Sequence, residues 1–320
     1  MLTKTRILFI IGAVATLLAA LAAQPAPELS RRDGPIRIGF PPWVGFDIIL
    51  YAERTGLFER HGLDVELIRF DESSDVARAL MEGSVELGFT SLGTLVCNHD
   101  GTPLDVVLVT NTSSGADGIA AARGVHTVPD LRGLRVGCKM DAINRLVLAE
   151  ALEHHGLTLD DVTIVDLSND AASAQLRQGR IDAAVLWEPK LTALADDIGG
   201  SVIHRTSDLE SLVLDVLLAR SAFASSNSDE IERVRAVWFD LLDAVEREPD
   251  AVFGVCAESL QQPPEGFARA WTGIQPCGRA LNARLLGDDF DRTLRDIAAK
   301  LDLPAPTPVG AFQSRVGDSE

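Results

Sequence analysis

The chain of 320 residues has no surplus of positive charge: 29 lysines and arginines stand against 47 aspartates and glutamates, a net charge of −18. A field of that sign repels phosphate backbones and anionic headgroups, so neither nucleic acid nor a charged membrane surface is an expected partner. Catalytic signatures are missing too. The sequence contains no G-x-S-x-G elbow, no G-x-x-x-x-G-K-[ST] phosphate loop, no G-x-G-x-x-G and no H-E-x-x-H. Its four cysteines, Cys97, Cys138, Cys256 and Cys277, show no C-x-x-C spacing and no clustered histidines, which argues against a zinc site. His154 and His155 sit together at a predicted helix end, where solvated histidines are common, and His99 has no neighbouring partner. No catalytic residue, metal or cofactor is therefore expected. What is present is an ordinary globular composition, 46% hydrophobic and 24% charged with 26 glycines and 15 prolines, in a chain long enough for two packed lobes.

The first residues do not read as part of that fold. Lys4 and Arg6 precede an uncharged run from Ile7 to Ala23 that ends in alanines, the layout of a secretory signal peptide. Ala20 and Ala22 suit a cleavage site, so residues 1–23 are expected to be removed; the alternative is an uncleaved anchor. No cysteine stands near the cut, which excludes a lipoprotein, and residues 24–35 read as a polar linker. Export to an oxidising compartment permits disulfides. Cys256 with Cys277, enclosing the Pro263, Pro264 and Pro276 segment, is the favoured pair, although four cysteines allow three connectivities.

Beyond the linker, hydrophobic patterning alternates between periods of two and 3.6. Strands are expected at Ile36–Phe40, Leu63–Ile68, Val85–Phe89, Val106–Val109, Leu134–Cys138, Thr163–Leu167, Ile181–Leu186 and Leu212–Ala219. Helices are expected between them, with Ser73 or Ser74, Asp141 and the Asn227/Glu230 capping box at helix starts and Gly83, Gly156 and Gly179 at helix ends. Strands alternating with helices give an α/β fold with mainly parallel sheets flanked by helices.

Four segments then carry a resemblance: GLFERHGLDVEL from Gly56 to Leu67, GSVELGFTS from Gly83 to Ser91, DLRGLRVG from Asp130 to Gly137 and IDAAVLWEP from Ile181 to Pro189. In this order they resemble type II periplasmic solute-binding proteins of ABC transporters, in the nitrate, sulfonate, taurine and thiamine-pyrimidine (NMT1/THI5-like) branch. The resemblance covers about Ile36 to Leu303. It implies two α/β lobes joined by two crossovers, near Asn111–Ile119 and Ser207–Leu214. Lobe one would comprise residues 36–118 and 212–320, and lobe two residues 119–211. It further implies a periplasmic monomer that closes over a small solute and delivers it to an ABC permease in the inner membrane. A solute sensor serving a membrane signalling protein would use the same cleft. A pyrimidine-synthesising enzyme of this branch would carry a cysteine-rich motif that is missing here.

In open α/β sheets ligands bind beyond the carboxyl ends of strands, at helix N-termini. Candidate contacts on that rule are Trp43 and Asp47 after the first strand, Asp71 after the second and Thr90 and Ser91 after the third. Asn111 at the crossover, Asn144 in the second lobe, and Trp187 and Glu188 after its last strand complete the set. Each has a plainer use: Thr90 and Ser91 as helix caps, the tryptophans as packing, the acids as solvated loop ends. Asp47, Glu188 and Asp71 around one cleft would favour an amine-bearing, zwitterionic or heterocyclic solute, such as a taurine-like zwitterion or a pyrimidine, over a simple inorganic anion.

Overall fold

The computed structural model describes residues 34–208, 213–261, 263–287 and 290–312. The expected signal peptide, most of the linker and part of the return crossover lie outside the described residues. Among those described, no helix is long and apolar enough to cross a membrane.

Two sheets organise the chain. The first contains β1 (Ile36–Phe40), β2 (Val65–Arg69), β3 (Leu87–Ser91), β4 (Leu104–Ser113), β10 (Leu214–Arg220), β11 (Ile274–Pro276) and β12 (Val309–Ala311). Its order is β11-β4-β10-β3-β1-β2, with β12 also paired to β4. The second sheet contains β5 (Asp117–Ala121), β6 (Arg135–Cys138), β7 (Thr163–Asp166), β8 (Ala183–Trp187) and β9 (Ser201–Arg205), in the order β7-β6-β8-β5-β9. The chain thus leaves the first sheet after Ser113, enters the second at Asp117, two residues before the expected lobe boundary, and returns between Arg205 and Leu214.

Each sheet has a parallel core, β2-β1-β3 and β7-β6-β8. Helices α1 (Val44–Asp47), α2 (Ser73–Glu82), α3 (Leu92–Asn98), α4 (Ile143–His154) and α5 (Asn169–Arg177) include the crossovers that parallel pairing demands. The remaining pairings are largely antiparallel: β10 inserts between β3 and β4 against both, and β5 runs against β8 and β9. Strand–helix alternation predicts the parallel cores; the antiparallel strands arise because the connections between sheets reverse the chain.

Burial follows the apolar pattern. In α6 (Ser228–Arg247), Ile231, Val234, Trp238, Leu241 and Val245 recur every three to four residues and are all buried. Trp238 meets Phe89, which meets Phe46, with ring centroids 5.4 and 5.3 Å apart, so the floor beneath β1 and β3 is aromatic.

Three expected caps are not made. Glu72, not Ser73 or Ser74, occupies the N-cap of α2, and no side chain bonds there. Ala142 holds the N-cap of α4 in place of Asp141. The side-chain amide of Asn227 turns back to donate to Phe223 O at 2.9 Å instead of capping α6. The expected Cys256–Cys277 bridge is also absent, since all four cysteines are free. Cys256 packs in the first hydrophobic cluster, with its thiol donating to Asp47 O at 3.4 Å. Cys277 packs in the second, so the two thiols lie in different cores.

On the outer edge of β4, β12 pairs with Leu104–Val106 and β11 with Asn111–Ser113, leaving a gap between them. Buried Asn282 fills it. Its Oδ1 accepts from Val109 N at 2.7 Å, and its Nδ2 donates to Val109 O at 2.8 Å and Cys277 O at 2.7 Å. Asn282→Leu therefore orphans a buried N–H and carbonyls, and should cost about 3 kcal/mol in a denaturant titration. An unchanged midpoint would show that the gap does not depend on Asn282.

Candidate functional site

Strand register builds the site. Asp215, at the start of β10, is paired with Ser91 at the end of β3 on one side and with Asn111 of β4 on the other. The register shifts between Asp215 and Val216, an irregularity of the kind that re-aims side chains beside functional sites. In the second sheet Asp117, the first residue of β5, lies opposite Trp187, the last residue of β8. Both parallel cores thus bring carboxyl ends, each with an adjacent aspartate, to one place between the sheets.

A cavity lies there. The first sheet's side contributes Pro42, Trp43, Phe46, Ser73, Ser91, Val213 and Asp215; the second contributes Asp117, Ile143 and Trp187. Its volume is about 20 Å³, room for roughly one water. Trp43 and Trp187 meet across it edge to face, with centroids 6.3 Å apart and planes at 82°. Gly45 makes this closeness possible: a Cβ there would lie 2.6 Å from Trp43 Nε1 and 2.4 Å from Asn111 Nδ2. A second, wider depression of about 590 Å³ lies on the helical face lined by Tyr51, Arg60, Asp240 and Glu248. It is open and mostly charged, unlike the aromatic cleft with a few convergent polar groups that small ligands prefer.

The sheets are clasped beside the cavity. Thr94 of α3 receives two bonds on its hydroxyl, from Ser91 Oγ at 2.9 Å and from Ile143 N, at the start of α4, at 3.1 Å. Asn98 Nδ2 donates to Asp141 O at 2.6 Å. Gly93 lets the helices approach, because a Cβ there would meet Ile143 Cδ1 at 2.7 Å.

The crossovers are tied as well. Ser113 Oγ and Thr206 Oγ1 are 2.7 Å apart, Gly115 N donates to Thr206 Oγ1 at 2.8 Å, and Asp117 N donates to Ser113 Oγ at 3.2 Å. Arg205 joins them, donating to Gly115 O at 2.8 Å and Glu188 Oε1 at 2.9 Å.

Two carboxyl groups stand out in this closed space. Asp117 and Asp215 are 3% and 5% exposed, and the Oδ2 of each has no hydrogen-bond partner. Burial pushes Asp117 up to about 7, opposed by the Ser113 hydroxyl and reinforced by Glu188 and Glu150. Burial raises Asp215 well above the usual carboxylate range, and the neighbouring Asp117 charge adds to the effect. The Trp43 indole N–H and the Asn111 amide offset this in part, yet Trp43 Nε1 closes no hydrogen bond of good geometry.

Of the residues the sequence singles out, Trp43, Ser91 and Trp187 line the cavity, and Asn111 stands beside Asp215. Ser91 also caps α3, its Oγ accepting from Thr94 N at 3.1 Å. Thr90 is buried, and its hydroxyl donates to Ser73 O at 3.5 Å. The others are not brought to the cavity wall. Asp47 is buried but lies 3.8 Å from Arg69 Nη1, and its pKa is raised to about 7 by burial. Asp71 is exposed on its loop. Asn144 donates to Asn169 Oδ1 and Val185 O inside the second lobe. Glu188 is held by Arg205 and Thr192. Sequence reasoning passed over Asp117, treated as crossover, and Asp215, treated as part of an apolar strand. The signal for the latter was a lone acid within LVLDVLLA.

A family model described as NMT1/THI5 like matches residues 43–251, spanning both sheets and the cavity. The chain belongs to this family. A putative binding protein of Brucella abortus is 26% identical over 77% of this chain and 78% of its own length. A putative aliphatic sulfonates-binding protein of Escherichia coli is 28% identical over 71% of this chain and 70% of its own. Among solved structures, an alkanesulfonate-binding protein of Xanthomonas axonopodis pv. citri, bound to MOPS, aligns with a TM-score of 0.73. That alignment has 20% identity and covers 86% of this chain and 96% of the other, which shows a shared two-lobed periplasmic-binding-protein fold. A more distant relative carries the name of an enzyme. A 4-amino-5-hydroxymethyl-2-methylpyrimidine phosphate synthase of Aspergillus parasiticus is 24% identical over 63% of each chain.

The buried acids carry a stability signature. Because Asp117 titrates near 7 when folded and at 3.8 when unfolded, the folded state holds a proton that the unfolded chain has released between those values. Stability from this group therefore falls as pH rises through that window and is level above it. Asp117→Asn in the solute-free protein should stabilise by about 2–4 kcal/mol at pH 8 and by much less at pH 5, read as melting temperature. An equal effect at both pH values would mean that Asp117 is not perturbed by burial.

Proposed function

We propose that this chain is the extracytoplasmic substrate-binding protein of an ABC importer. It captures a small polar organic solute, a taurine- or sulfonate-like zwitterion or a pyrimidine-like heterocycle, and delivers it to a membrane permease. The observation that carries this reading is the shared cavity, walled by Trp43 from one sheet and Trp187 from the other. A solute touching both lobes favours the closed arrangement by its differential contacts, and closure is what a permease can read. Lobe one is assigned to residues 36–116 and 212–320 and lobe two to 117–211, two residues earlier than the sequence suggests because β5 begins at Asp117, with the tied crossovers as the hinge.

Trp43 and Trp187 serve as walls, Ser91 and Asn111 as polar contacts, and no metal or cofactor is needed. Asp47, Asn144 and Glu188 act in support of the fold, Asp71 stands in solvent, and Thr90 acts from behind Ser73. The name of a periplasmic relative and the signal-peptide layout expected at residues 1–23 support a periplasmic protein, which we read as a monomer.

Catalysis gains no support from the thiols. Burial pushes Cys97 up to about 11 and Cys256 and Cys277 up to about 12, and raises Cys138 as well, so none is a thiolate at neutral pH.

Micromolar affinity corresponds to about −8 kcal/mol, within reach of two aromatic faces and a few hydrogen bonds. The test is mass spectrometry of the compound released when the purified protein is denatured, followed by calorimetry with that compound. Trp43→Ala and Trp187→Ala are each expected to weaken its binding by about tenfold or more. Unchanged affinity in both variants would remove the cleft assignment.

A further inference from the structure

We infer that the cleft selects its solute by a cationic nitrogen, an ammonium or amidinium group seated between Asp117 and Asp215 and faced by Trp43 and Trp187. The inference rests on reading the cavity as the solute site, and it specifies the charge of what enters.

Three observations carry it. First, Asp117 and Asp215 come from different sheets, are at least nine-tenths buried, line the same cavity and each leave Oδ2 without a partner. A buried carboxylate without a counter-charge is unfavourable in a folded protein, and an incoming cation bonded to both supplies what the chain does not.

Second, none of the nearby cations is available to supply it. Arg205 is engaged by Glu188 Oε1, Gly115 O and Thr192 Oγ1, at 2.9, 2.8 and 2.7 Å. Lys139 pairs with Asp141 at 3.0 Å, and Lys190 pairs with Asp170. Among the described residues no lysine or arginine lines the cavity. A sulfonate entering this space meets two acids and no positive side chain. The helix start at Ser91 offers it little, because Ser91 Oγ already accepts from Thr94 N.

Third, two indoles line the same space, and indole is the aromatic side chain to which cations are drawn most strongly. The sulfonate named for several relatives is therefore not the group this cleft grips.

The test is a series on one benzene ring differing in charge: benzamidine (cationic), benzamide (neutral) and benzenesulfonate (anionic), titrated by calorimetry into the full chain freed of solute by unfolding and refolding. Benzamidine is expected to bind at least tenfold more tightly than benzamide, with benzenesulfonate weaker than both. Asp117→Asn and Asp215→Asn should each reduce benzamidine affinity at least tenfold while leaving benzamide within about threefold, a charge-selective loss that general misfolding does not produce. The compound released from the native protein should contain a basic nitrogen.

Binding of benzenesulfonate or benzamide in preference to benzamidine, or a released solute without a basic nitrogen, would overturn the cationic seat while leaving solute capture intact. If nothing is released and no member of the series binds, solute capture at this cleft fails along with it.

Discussion

The structure turns on two carboxyl groups that folding buries without partners. Asp117 and Asp215 sit where the ends of two sheets meet, as the first residue of β5 and the second of β10, strands that run antiparallel to their neighbours. Any site that holds such groups ready for a ligand does so against the stability of the empty protein. The surrounding structure compensates: an aromatic floor of Phe46, Phe89 and Trp238, hydroxyl ties between the crossovers, and a backbone clasp from Thr94 to Ile143. Removing the acids would make a firmer protein with a less discriminating cleft.

Function follows from how those compensations are shared between the lobes. The clasp and the two tryptophans bridge the sheets, whereas Ser113, Thr206 and Arg205 bind one crossover to the other. On the proposed reading, closure involves a few specific contacts beside the cavity and leaves each sheet's own hydrogen bonding intact. That arrangement suits a hinge, in which small differential contacts with a solute shift the balance between open and closed forms.

Much of the fold was legible in the sequence because parallel α/β units repeat a simple pattern. The strands around Ile38, Phe89, Val136 and Val185 and the helices between them stand within a few residues of where periodicity puts them. The helix caps were not legible. Ser73, Asp141 and Asn227 are good capping residues by type, but the start of α4 finds its acceptor on the other sheet's helix, where Thr94 Oγ1 accepts from Ile143 N, a contact no local pattern encodes. The antiparallel insertion of β10 was hidden for the same reason.

The cleft was half legible. Trp43, Ser91 and Trp187 follow strands directly, where the strand-end rule looks. Asp117 and Asp215 stand at the starts of strands instead, and they reach the same place only because those strands run backwards. The acids that the rule singled out, Asp47, Asp71 and Glu188, face Arg69, solvent and Arg205. The most direct test is a crystal structure of the protein with the solute it carries from the cell. The account predicts density between Trp43 and Trp187, with a nitrogen within hydrogen-bonding distance of both Asp117 and Asp215. A solute bound elsewhere, or one presenting an anionic group to this cavity, would contradict it.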